Sequence, residues 1–81
     1  MTDIPIYLNS KDQIEDFLRI NSMSDCQIDV NNGRTYADGK SMIGLLSLGL
    51  FRPLQVSLIG EEDKVKKLFN AYKQHNLTVP N

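Results

Sequence analysis

The chain of 81 residues carries 9 Lys and Arg against 10 Asp and Glu, a formal net charge of −1, which excludes a nucleic-acid binder working through a basic face. A 41% hydrophobic and 23% charged composition is that of a folded soluble chain, and the length suits one domain, 1–81, rather than two. Cys26, the single cysteine, excludes an internal disulfide and points to a reduced, cytoplasmic setting; Met1-Thr2-Asp3 opens no signal peptide, and no apolar run approaches membrane-spanning length.

Ile4, Ile6 and Leu8 alternate with Pro5 and Tyr7, which predicts a strand with one buried face. Pro5 has no N–H to donate, so this strand belongs at a sheet edge. Ser10-Lys11-Asp12-Gln13 fits a capping box, with serine at the cap and glutamine three residues on, and predicts a helix over Lys11 to Ser22. Ile14, Phe17 and Leu18 form its apolar stripe, with Ile20 to one side. Asp12, Glu15 and Asp16 lie near its N-terminus, where the helix dipole favours negative charge. Cys26, Ile28 and Val30 alternate with Gln27 and Asp29 as a second strand. Asn31-Asn32-Gly33 is the strongest turn signal and predicts a tight hairpin, with Arg34-Thr35-Tyr36-Ala37 as the returning strand. Asp38-Gly39 is the next turn.

The stretch Gly39-Lys40-Ser41-Met42-Ile43-Gly44-Leu45-Leu46-Ser47-Leu48-Gly49-Leu50 reads as a short helix with both ends marked. Ser41 suits the N-cap, since its hydroxyl accepts from a free N–H of the first turn, and Gly49 suits the left-handed position that ends a helix. Leu45 and Leu48 share a core face. Met42, Ile43 and Leu46 are then surplus, grouped by spacings of three and four, and predict a docking surface beside Lys40 and Ser41.

After Leu50-Phe51-Arg52-Pro53, Leu54, Val56 and Leu58 alternate with Gln55 and Ser57 as the last strand, extended by Ile59 and broken by Gly60. Glu61, Glu62 and Asp63 open the final helix. Val65, Leu68, Phe69 and Tyr72 give it the cleanest helical spacing in the chain, and Glu62–Lys66 and Asp63–Lys67 are favourable i, i+4 pairs. Leu77-Thr78-Val79-Pro80-Asn81 reads as a loosely ordered tail. The order β-α-β-β-α-β-α predicts an α+β open-faced sandwich, a four-stranded antiparallel sheet with three helices on one face. Its core should hold Ile6, Phe17, Ile28, Val30, Leu45, Leu48, Val56, Leu58, Val65, Leu68 and Phe69.

Few residues offer chemistry. His75 is the single histidine, placed where a cation suits a helix C-terminus, and has no ligand-spaced partner, so no metal site and no cofactor is expected. Cys26 faces inward with Ile28 and Val30 as a small hydrophobe rather than a reactive thiol. Gly39-Lys40-Ser41 lacks the spacing of a phosphate-binding loop, since five residues rather than four separate Gly33 from Gly39. No small-molecule substrate and no enzymatic activity is expected.

The stretch from Gly39 to Leu50, with its Lys-Ser pair, internal glycine and closing Ser-Leu-Gly, resembles the regulatory serine segment of HPr. HPr is the histidine-containing phosphocarrier family of the bacterial sugar phosphotransferase system. The predicted element order is also that of the family's fold. In the family, the first helix opens with a Gly-Ile-His-Ala-Arg-Pro-like motif whose histidine takes the phosphoryl group. Laid on that pattern, Ser10 stands at the histidine, Asp12 at the arginine and Gln13 at the proline. The resemblance therefore implies a protein like Crh, the relative that lacks the active histidine and is phosphorylated on the serine, here Ser41. It implies a regulatory protein of carbohydrate transport whose partners include an HPr kinase and a catabolite-control regulator. An atypical phosphocarrier, or an interaction module reusing the fold outside sugar transport, are the alternatives.

Overall fold

A computed structural model describes residues 1–49 and 52–78. The elements are β1 (Ile4–Ile6), α1 (Lys11–Ser22), β2 (Gln27–Asn31), β3 (Tyr36–Asp38), α2 (Met42–Ser47), β4 (Leu54–Ile59) and α3 (Glu62–Gln74). The four strands form one antiparallel sheet in the order β1-β4-β2-β3, and the fold is the expected α+β open-faced sandwich. Pro5 accordingly lies on an edge strand. Among the described residues no helix is long and apolar enough to cross a membrane.

The register explains the core. Ile4 pairs with Val56, Val56 with Val30, and Val30 with Ala37, so one row of small and branched side chains crosses all four strands on the helix side. Phe17 and Tyr72 pack over the sheet with ring centroids 5.3 Å apart, and α1 and α3 meet there. Cys26 is buried, as its alternation with Ile28 requires. The opposite face of the sheet is open. On it Asp29 stands directly across from Asp38, two carboxylates at one register position.

Four expectations need correction. The hairpin between β2 and β3 is not a tight two-residue turn: Asn31 pairs with Tyr36, leaving residues 32–35 as the loop. The Asn32 side-chain oxygen accepts from the N–H groups of Arg34 and Thr35, which removes both from the ladder and starts β3 at Tyr36 rather than Arg34. Phe69 is only partly buried, with the Lys73 ammonium 5.3 Å from its ring centroid, while Tyr72 one turn on is fully buried. The C-terminal segment is not loose at its start. Leu77 is buried, its N–H donates to Tyr72 O and its carbonyl accepts from Tyr7 N–H, and Thr78 bridges to Ile6. Finally, Glu62 and Lys66 pair at 3.1 Å, but Asp63 and Lys67 do not come within ion-pair distance. Leu50 and Phe51 of the exit from α2, and Val79, Pro80 and Asn81 of the tail, lie outside the described residues.

Candidate functional site

Serine at position 41 starts α2 as its chemistry suggests. Its backbone is extended, its Oγ accepts from Gly44 N–H at 3.1 Å, and its carbonyl accepts from Leu45 N–H at 3.0 Å. The helix has only six residues and stops at a Leu48 cap followed by Gly49, whose φ of +85° is open to glycine at little cost. A helix this short has little stability of its own. It is held by docking on β3, and two glycines let it approach. A Cβ on Gly44 would stand 3.1 Å from Ala37 Cβ, and one on Gly39 would stand 2.3 Å from Ile28 Cγ2. At the far end the Asn32 side chain donates to Leu48 O at 3.1 Å, tying the hairpin loop to the helix C-terminus.

Leu45 and Leu48 are buried, whereas Met42, Ile43 and Leu46 are 50%, 82% and 51% exposed. The division of the helix into a core face and an apolar solvent face is therefore real. Lys40 is exposed, with its ammonium donating to Ser24 O at 2.7 Å and its backbone N–H donating to Asp38 Oδ1 at 2.9 Å. It thus borders Ser41 while one of its three N–H groups is engaged with the loop after α1.

Ser10 and Asp12 lie elsewhere, at the start of α1. Ser10 Oγ accepts from Gln13 N–H at 3.1 Å, so its hydroxyl is the N-cap of that helix, and Asp12 is exposed in the first turn. Gln13 completes the cap by a variant of the expected geometry: its side-chain oxygen accepts from Asn9 N–H at 2.7 Å rather than from Ser10 N–H. Its amide also donates to Asn76 O at 3.2 Å, which joins this end of α1 to the segment after α3. His75 caps α3, with Nδ1 3.6 Å from Asp16 Oδ2, and the other oxygen of Asp16 takes Arg19 at 2.7 Å. The histidine thus faces the Asp16 carboxylate of α1, while the Ser10 and Ser41 hydroxyls each cap their own helix. Among the described residues no three His, Cys, Asp or Glu side chains gather as a metal site would require.

One connection to the Ser41 region escapes a reading by residue type. Asn21 is fully buried; its amide donates to Gly39 O at 2.7 Å and its side-chain oxygen accepts from the Tyr72 hydroxyl. The signal was spacing: Asn21 lies seven residues after Ile14, as Tyr72 lies seven after Val65, so both polar groups sit on the apolar stripes of helices that pack together. Burial pushes the Tyr72 phenol above its ordinary range, which keeps it a donor.

The sequence matches no protein-family model, and no curated protein matches it.

Proposed function

We propose that this chain is an HPr-like protein without the acceptor histidine, a cytoplasmic regulatory protein that engages other proteins through α2. The observation that carries the reading is the exposure of Met42, Ile43 and Leu46 on a helix whose other face is buried, beside the capping hydroxyl of Ser41. Three large apolar side chains in water on six residues are better explained by a partner than by folding. The resemblance of the segment from Gly39 to Leu50 to the regulatory serine region of HPr gives that partner a class, an HPr kinase and a catabolite-control regulator.

A phosphoryl group on Ser41 would add between one and two negative charges at the rim of this apolar patch. A partner then reads charge and apolar contact together, with Lys40 next to the charge. The carrier alternative is disfavoured by chemistry at the other helix. A phosphoserine at position 10 is a stable ester with a poor leaving group, and Asp12 in the first turn adds a like charge near it.

The test uses purified HPr kinase with this protein and a genuine HPr side by side. The expected result is a single label on Ser41, abolished by Ser41→Ala. A kinase that labels HPr and leaves this chain unlabelled defeats the regulatory-serine reading. Incubation with enzyme I and phosphoenolpyruvate is expected to leave no acid-labile, base-stable phosphate, and stoichiometric labelling of His75 would restore the carrier alternative.

A further inference from the structure

We infer that the pose of the Ser41 segment is set from α3, through the buried chain Tyr72–Asn21–Gly39, so that Asn21 and Tyr72 are positioning residues for a surface from which both are hidden. The functional weight of this inference rests on α2 being the docking surface; the coupling itself does not.

The chain has a direction. The Tyr72 hydroxyl donates to Asn21 Oδ1, so the amide nitrogen of Asn21 must point the other way, and it meets Gly39 O at 2.7 Å. Removing the hydroxyl leaves that oxygen without its partner and the amide free to turn over. Gly39 is held on its other side as well, its N–H donating to Ile28 O at 2.8 Å. The glycine is thus clamped between β2 and α1, with no room for a Cβ. Everything that begins α2 follows within two residues: Ser41 N–H donates to Asp38 O at 3.0 Å, and Ser41 then caps the helix. Beyond Gly39, the buried anchors of α2 are Leu45 and Leu48, and the strand beneath it is the three-residue edge strand β3. Such a unit is expected to open below the free energy of global unfolding. Loss of the Asn21 bond leaves the carbonyl of Gly39 buried and unpaired, and the cheapest way to satisfy it is to release the segment to water.

The experiment is amide hydrogen exchange by NMR on the whole chain, with no partner present. Wild type is compared with Tyr72→Phe, Asn21→Leu and a control, Val56→Ala, in the centre of the sheet. The reporters are Gly39, Ser41, Gly44 and Leu45, read against the amides of the β2–β4 ladder. Tyr72→Phe is expected to speed exchange at the four reporters by about tenfold more than in the ladder. Val56→Ala should speed both sets together. Should Asn21→Leu fail to fold, Tyr72→Phe alone decides. Equal acceleration of reporters and ladder in Tyr72→Phe, or no acceleration of the reporters, overturns the inference. Because exchange is read on the free protein, a failure of Ser41 labelling leaves this result untouched, and the reverse holds.

Discussion

The Tyr72 hydroxyl donates to the Asn21 side-chain oxygen at a place where neither residue reaches solvent. A phenol in that position resists ionisation, since burial disfavours the phenolate. The unfolded chain releases this proton near pH 10, while the folded chain holds it. The stability contributed by the neutral phenol is therefore complete below about pH 10 and declines as pH rises further, with a slope of about 1.4 kcal/mol per pH unit. Urea unfolding across pH 9 to 11 should show the decline in wild type, and Tyr72→Phe should remove that share of the slope.

Two glycines should respond to alanine for different reasons. At Gly39 the new Cβ meets Ile28 Cγ2 at 2.3 Å inside the core, so Gly39→Ala is expected to cost about 2–3 kcal/mol by overpacking. At Gly33 there is open space but φ is +95°, so Gly33→Ala should cost about 1–2 kcal/mol through the backbone alone. Denaturant midpoints will rank them, and an Ile28→Val background should ease the first and leave the second as it is.

Ser41→Ala removes the acceptor for Gly44 N–H and should lower stability by about 1 kcal/mol. Ile43→Asp touches a side chain that is mostly in water, and its effect on stability should stay within about 0.5 kcal/mol. Binding of any α2-directed partner should show the reverse sensitivity, with Ile43→Asp weakening it strongly. Thermal unfolding and partner titration on the same two variants separate cap from contact.

Leu77→Ala should cost about 2–5 kcal/mol, a core-sized loss from a residue outside every helix and strand. A loss below 1 kcal/mol in urea unfolding would mean that the segment after α3 is only loosely seated.

The sequence was most legible where one local signal decided the outcome. Ser10 and the stripe of Ile14 and Phe17 place α1 at its observed bounds, and Ser41 and Gly49 mark both ends of α2. It was least legible where a side chain bonded the backbone of a neighbour. Asn32 delays β3 by capturing Arg34 and Thr35, an arrangement that an Asn-Gly pair does not announce. Leu77 follows a histidine and an asparagine that read as an ending, and what seats it is a backbone bond from Tyr7 and the Ile6–Thr78 bridge, both from β1 and the residue after it, seventy residues or more away in sequence. The exposed trio of α2 was readable by subtraction, since Leu45 and Leu48 were enough for the core. The Asn21 link was not, because an asparagine near a helix end usually faces water.

Ionic strength has two opposite tasks in this molecule, one on the surface of α3 and one on the open face of the sheet. Glu62–Lys66 and Asp25–Lys64 are exposed pairs of unlike charge, which added salt weakens. Asp29 and Asp38 face each other across β2 and β3 with like charge, and the same salt relieves them. Since α2 rides on β3 through Gly44 and Ala37, the strand that carries Asp38 is also the one that carries the Ser41 helix.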